Sequence, residues 1–310
     1  MKKKALITGV NGFIGQALWQ FLKRHKKTIQ VFGIDLMKTS GVPGISSMDM
    51  RDSRRFGHFL DNISPDYIFH LAGGRMNDAA KLKESNIETT KALFTTLLQI
   101  AHIPAKIVIP GSAAEYGEPP ANVRRISERA IAVPLSDYGK VKFKQTDLAF
   151  QYSTLGFNVV VARLFNITGA NTPDQLAAGR FSKEIVRLEQ GNKTGALNTM
   201  SLKGRRDFLD IEDICSALWH LAESGRSGQI YNVCSSVPTR IEDLLFKLIL
   251  FSRLTDVEII EDESSGSKSF DVIGSNAKLR AHTPWKQEIS LDKSLVRTLK
   301  SWRKQLGVQL

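Results

Sequence analysis

The chain has 310 residues, is 42% hydrophobic, and carries 43 Lys plus Arg against 31 Asp plus Glu for a formal net charge of +12. That length and apolar content bury a substantial core, which excludes a disordered or fibrous chain. No apolar run reaches membrane-spanning length. The two cysteines, Cys215 and Cys234, form neither a disulfide framework nor a metal-ligand spacing, and the basic residues are scattered without a tail or a nucleic-acid module; a cytoplasmic protein with no membrane or nucleic-acid partner and no metal is therefore expected.

Met1-Lys2-Lys3-Lys4 leads straight into an apolar run at 4–8, as a strand does and a cleavable leader does not. The run breaks into Gly9, Gly12 and Gly15 and then becomes an amphipathic segment, which reads as strand, tight turn and helix. One glycine permits the turn, one lets the backbone approach a pyrophosphate, and one lets the helix pack close to the strand, leaving helix-start N–H groups facing phosphate. A second apolar run, 29–35, ends in Asp35, 20 residues after Gly15. At that spacing a carboxylate accepts the ribose hydroxyls of an adenosine, so the first 35 residues predict a dinucleotide site.

Apolar and helical stretches then alternate, the pattern of a parallel sheet covered on both faces. Further strands are expected at 44–48, 67–71, 106–110, 158–164 and 229–233, with sheet-packing helices at 86–102 and 134–152. Past Leu164 the rhythm changes. Residues 166–175 and the stretch from 191 through Gly204 read as loops flanking a helix at 177–190, another helix spans 211–223, and 261–269 reads as a surface loop. The fold class is α/β: a Rossmann-like doubly wound parallel sheet with a smaller, discontinuous substrate domain. Residues 1–165 form the dinucleotide domain, to which 207–235 return, while 166–206 and 236–310 form the second domain.

Tyr138 and Lys142 lie four apart on a helix, hence on one face, so a cation stands near a phenol that ordinarily titrates near pH ~10. Ser112 follows an apolar strand and falls at the carboxyl edge of the sheet, where ligands bind in open α/β folds. Together with TGVNGFIG at 8–15, Asp35, His70-Leu71-Ala72-Gly73, Asn86, Tyr116-Gly117, Arg163-Leu164-Phe165-Asn166 and Arg206-Asp207-Phe208, these residues give the chain a resemblance to the extended short-chain dehydrogenase/reductases along almost its whole length. The resemblance implies an enzyme acting on a nucleotide sugar with a nicotinamide dinucleotide. Tyr138 would give or take the proton at the sugar oxygen, Lys142 would lower its pKa and bond the nicotinamide ribose, and Ser112 would bond the same oxygen. The cofactor would be held by Gly9, Asn11, Gly12, Phe13, Ile14, Gly15, Asp35, Asp49, Met50, Leu71, Ala72, Gly73 and Asn86 besides Tyr138 and Lys142. Asn166 and Arg206 would grip substrate, with Arg205 sharing that task or standing as a surface charge. Asp49 is alternatively a plain loop carboxylate, and His70 reads as a packed strand residue.

The family hosts several chemistries, so membership does not choose among them. Dehydratases resembling this chain carry acids two and often three positions before the tyrosine corresponding to Tyr116; Ala114 and Ala113 stand there, and Glu115 would point elsewhere along an extended segment. Residues 111–117, 164–169, 205–210 and 231–235 look most like the 4-reductases of GDP-4-keto-6-deoxyhexoses. The expected activity is NAD(P)H-dependent reduction of a C4 ketone, the alternative a 4-epimerase with retained NAD, and a third reading a dinucleotide sensor without catalysis. Asp35 would repel a 2′-phosphate and favour NAD(H) over NADP(H), with Lys38 softening that repulsion. A homodimer is expected through the helices carrying Asn86 and Tyr138, with Leu97, Leu98, Phe143 and Leu148 either at that interface or in the core.

Overall fold

The computed structural model describes residues 2–309 except 38–41, 101–103, 121, 192–193 and 263–269. Seven parallel strands make the central sheet: β1 (Lys4–Thr8), β2 (Gln30–Asp35), β3 (Ile45–Ser47), β4 (Tyr67–His70), β5 (Lys106–Ser112), β6 (Asn158–Leu164) and β10 (Gln229–Val233). Their spatial order is β10-β6-β5-β4-β1-β2-β3, with the order reversing at β1. Side chains alternate across the pleat, so each strand feeds two cores. Ala5, Ile7, Phe69, Val108 and Val160 face the core beneath helices α1 (Phe13–His25) and α7 (Ile211–Ser224). Leu6, Ile68, Ile107, Ile109 and Val161 face the other, beneath α2 (Ser53–Ile63), α4 (Thr89–Gln99) and α5 (Asp137–Thr154). Near-continuous apolar strands are what a sheet covered on both sides requires. Both cysteines are free and buried, Cys215 in the first of these cores and Cys234 in a small separate cluster with Tyr116 and Phe165.

A separate core gathers Phe181 and Ile185 of α6 (Ala177–Gln190), Leu244 and Leu248 of α8 (Ile241–Leu250), and Leu295, Leu299 and Trp302 of α10 (Leu291–Gln305). Arg303 of α10 makes a two-toothed pair with Glu189 of α6, Nε to Oε2 at 2.8 Å and Nη2 to Oε1 at 2.7 Å. Two small sheets accompany this core. Strand β9 (Arg205–Asp210) lies between β7 (Asn166–Thr168) and β11 (Pro238–Arg240), while β8 (Thr194–Thr199) pairs with β12 (Asp256–Glu261).

Strands β7 and β8 correct two loops expected from sequence. Each is held by a partner distant in the chain, Asn166 opposite Phe208 and Thr194 opposite Asp256, and neither has the apolar alternation that announces a half-buried strand. The helix expected over 86–102 is also revised: residues Glu84–Glu88 form a π-helical turn, α4 ends at Gln99, and 101–103 lie outside the described residues. Most of the expected surface loop 261–269 and Lys38 lie outside them as well.

Candidate active site

At the end of β1 the glycines divide their work as their spacing demands. Gly9 turns the chain at φ +67°, and a side chain there would strike the backbone of Leu71 and Ala72. A Cβ on Gly15 would sit 2.2 Å from the Gly9 carbonyl, so this glycine sets how close α1 approaches the turn. Gly12 is the N-cap of α1; no side chain caps that terminus and no acid stands in its first turn. Such a terminus carries partial positive charge that suits an anion. Gly9, Asn11 and Gly12 line a cavity of about 490 Å³ with Asp35, Asp49, Met50, Leu71, Ala72 and Gly73. The Asp35 carboxylate is fixed in its wall, accepting Asn11 N–H at 2.9 Å and Met37 N–H at 3.2 Å. Asp49 is drawn into a pair with Arg51, whose guanidinium also reaches Glu84, and this holds the Asp49 carboxyl below its usual range.

Six expected cofactor residues, Phe13, Ile14, Gly15, Asn86, Tyr138 and Lys142, do not line this cavity. Phe13 and Ile14 pack on the sheet core, and Asn86 is buried behind the cavity loop. From there the Asn86 side chain accepts Gly74 N–H at 3.2 Å and donates to the Gly74 carbonyl at 2.9 Å, anchoring the segment that follows β4.

Ser112 ends β5 and Tyr138 lies in the first turn of α5, which starts at the capping hydroxyl of Ser136. Gly139 lets the two meet, because a Cβ there would fall 2.4 Å from the Ala114 carbonyl. Ser112 is tightly placed. Its N–H donates to Glu115 Oε1 at 2.7 Å, its Oγ accepts Ala114 N–H at 3.2 Å, and its hydroxyl lies near the Tyr138 phenol. Loss of hydration raises the Tyr138 pKa, opposed first by the charge of Arg75 and then by the Ser112 hydroxyl.

Lys142 is buried one turn further along α5, and its ammonium donates to Oε1 of Gln145. Gln145 Nε2 donates in turn to Thr90 Oγ1 at 2.8 Å and to the Asn86 carbonyl at 3.2 Å. The Thr90 hydroxyl gives its own proton to the Asn86 carbonyl at 2.6 Å, so His70 Nε2, 3.1 Å away, is the donor to Thr90. His70 Nδ1 then accepts from Thr8 at 2.9 Å, a neutral ring with both nitrogens satisfied. Burial, and secondarily Lys142, pushes His70 down to about 3; burial lowers Lys142 to about 8, with Glu115 opposing. His70 is thus a packed strand residue. Arg75 also bears on Tyr138, its guanidinium 4.9 Å from the ring centroid, while the Lys142 ammonium is turned to Gln145.

Glu115 does point away from the cleft, but from a 3₁₀ turn, Ala113–Glu115, instead of an extended segment. Its buried carboxylate takes Arg163 Nε at 2.9 Å and Nη2 at 2.8 Å, and the Arg163 guanidinium lies 4.5 Å from the Tyr116 ring centroid. On the neighbouring small sheet, Asn166 donates to the Asp207 carbonyl at 3.0 Å, and Arg206 donates to the carbonyls of Phe270 and Arg205. The Asp207 carboxylate accepts Ser235 N–H, Ser235 hydroxyl, Ser236 N–H and Gly274 N–H, which fastens β9 to the chain after β10. Gln145, Thr90 and Arg75 were not singled out from sequence. Gln145 shares a helical face with Lys142 and was findable; Arg75 follows two glycines and carried no signal.

Among the described residues no group of three His, Cys, Asp or Glu is placed to hold a metal, and no helix is long and apolar enough to cross a membrane. A parallel sheet whose strand order reverses beside a glycine-lined cavity, with a serine and a tyrosine hydroxyl near each other at its carboxyl edge, defines an NAD(P)-dependent oxidoreductase of the short-chain dehydrogenase/reductase type. Residues 5–234 match the NAD dependent epimerase/dehydratase family, and the chain belongs to it. It is 27% identical to GDP-6-deoxy-D-mannose reductase of Pseudomonas aeruginosa over 97% of this chain and 98% of that protein. It is 25% identical to dTDP-6-deoxy-L-talose 4-dehydrogenase (NAD(P)(+)) of Kitasatospora kifunensis over 96% and 90% of the two chains. A solved structure of RMD from Pseudomonas aeruginosa complexed with NADPH superposes with a TM-score of 0.85 at 27% identity, covering 97% of this chain and 99% of that one.

Proposed function

We propose that the protein is a nucleotide-sugar 4-reductase that converts the C4 ketone of a 4-keto-6-deoxyhexose, GDP-linked by preference, to an alcohol. The neighbouring hydroxyls of Ser112 and Tyr138, with alanines at 113 and 114 where a dehydratase needs acids, carry this reading. Likeness to the two named deoxysugar enzymes supports it.

The cavity residues fit a dinucleotide: Gly9 and Gly12 leave backbone open to a pyrophosphate at the α1 terminus, and Asp35 and Asp49 stand where ribose and adenine would be held. Bound and reduced, that cofactor supplies hydride. The protein supplies the rest. Ser112 is oriented by Glu115 and Ala114 so that its hydroxyl and the Tyr138 phenol converge on one acceptor, the sugar O4, stabilising the charge that develops there. Tyr138 hands its proton to that oxygen. Lys142, bound here to Gln145, would hold the nicotinamide ribose, and Asn166 and Arg206 would hold the diphosphate and sugar. Asp35 favours NAD(H) over NADP(H). A homodimer would use α4 and α5, where Leu98 and Phe143 are exposed while Leu97 belongs to the core.

Incubation with reduced cofactor and a GDP-4-keto-6-deoxyhexose tests the reading: stoichiometric loss of reduced-nicotinamide absorbance is expected. Catalytic interconversion of 4-epimers with no added cofactor would make it an epimerase instead. Tyr138→Phe should reduce turnover by about 10²- to 10⁴-fold with cofactor affinity nearly unchanged, and undiminished turnover would remove the proton donor from the scheme.

A further inference from the structure

The segment after β4 brings a second cation to the site. Gly73 and Gly74 adopt φ +114° and +159°, and Asn86 grips the Gly74 backbone from both sides, so the residue that follows is delivered at a fixed place. That residue is Arg75. Its guanidinium lies 4.9 Å from the centroid of the Tyr138 ring, and its donors make no hydrogen bond or ion pair to any described residue. An arginine over a tyrosine face is attracted by the ring quadrupole.

The other groups around the phenol leave this charge unopposed. Ser112, from the end of β5, is neutral. Glu115, from the 3₁₀ turn, is bound to Arg163. Lys142, from the same helix, directs its ammonium to Gln145. Asp137 and Lys140 flank Tyr138 on α5 but are exposed and meet each other at 3.4 Å. Arg75 therefore brings a cation to the Tyr138 ring from the cofactor loop, in addition to Lys142 on its own helix.

We propose that Arg75 is a positioning residue for the reaction: seated on the Tyr138 ring, its guanidinium stabilises the phenolate left when the phenol gives up its proton. This rests on Tyr138 being the proton donor. In the balanced step, the ketone carbon gains hydride from the reduced nicotinamide, which is oxidised, and the carbonyl oxygen gains the phenolic proton. The phenolate persists until cleft water returns a proton, and Arg75 balances its charge in that interval. Since Gly73 of the same loop lines the dinucleotide cavity, the loop that walls the cofactor also tunes the acid.

The test compares Arg75→Met and Arg75→Lys with the parent, following both the pH profile of ketone reduction and the ultraviolet titration of tyrosinate, with Tyr138→Phe as the spectral blank. A protonated phenol is the active form, so rate falls as pH rises through its pKa. Removing the cation should carry that basic limb, and the tyrosinate titration that Tyr138→Phe abolishes, upward by about one unit. Arg75→Lys should keep both near the parent position. Unmoved limbs in Arg75→Met, or a raised substrate KM as its sole effect, would overturn the proposal and mark Arg75 as a substrate contact. Full turnover in Tyr138→Phe would instead overturn the reaction scheme, so the two failures are told apart.

Discussion

Replacing Arg163 by Met isolates what a buried charge does to this fold. Glu115 and Arg163 are both buried, and the carboxylate receives two bonds from the guanidinium, at 2.8 and 2.9 Å, and one from Ser112 N–H at 2.7 Å. Methionine fills most of the arginine volume, so the loss is chiefly electrostatic. An uncompensated buried carboxylate destabilises by about 3–5 kcal/mol. For 310 residues that corresponds to a fall in Tm of roughly 5–8 °C. The pH dependence separates this cause from poor packing. Even with Arg163 present, burial raises the Glu115 pKa above 4.5, so its ionisation opposes folding as pH rises through the folded value. Without Arg163 the pKa rises further. The stability deficit of the variant should be small while Glu115 stays protonated and grow as pH rises through its raised folded pKa. Thermal melts at matched protein concentration across that range measure it, and a deficit below about 1 kcal/mol, or one independent of pH, would refute buried charge as the cause. The same variant should lower kcat, since Glu115 holds the backbone of Ser112.

Three other outcomes are expected. Asp35→Ala should lower the KM for NADPH relative to NADH by about tenfold or more, because the fixed carboxylate no longer faces a 2′-phosphate; an unchanged ratio would show that discrimination lies elsewhere. Gly15→Ala places a Cβ 2.2 Å from the Gly9 carbonyl. It should destabilise by about 1–3 kcal/mol and weaken dinucleotide binding, read by melting and by nicotinamide fluorescence titration. His70, at about 3 in the fold against an ordinary 6.5, makes the unfolded chain the stronger proton binder between those values, so stability falls as pH drops through that window. His70→Gln should remove up to about 1.4 kcal/mol per pH unit of that slope in denaturant titrations, and an unaltered slope would mean that the ring protonates in place.

The strands of the main sheet other than the short β3 (Ile45–Ser47) were legible because each is an apolar run closed by a polar or glycine-rich turn, and their covered faces spare them from needing alternation. Gly9, Gly12, Gly15 and Asp35 were legible for a different reason: their chemistry is local, set by spacing within one βαβ unit. What escaped is non-local. Strand β8 forms because β12 lies beside it, and nothing in Thr194–Thr199 announces that partner. Glu115 finds Arg163 48 residues on, and Arg75 reaches Tyr138 through a loop whose course is fixed by Asn86. The four-residue spacing of Tyr138 and Lys142 correctly put both on one helical face, yet it was silent on which way a long flexible ammonium would turn.

The bonds leading inward from Lys142 run donor to acceptor as far as Thr90, whose hydroxyl hydrogen is committed to the main-chain carbonyl of Asn86. An amide side chain stands in the middle of that path, and amides do not pass protons along. The interior is therefore a dead end for proton traffic, with an uncharged imidazole at its far side. In the proposed reduction, whatever Tyr138 surrenders must be replenished from the solvent-facing mouth, and a bound sugar that stoppers this mouth would delay recharging of the acid until product departs.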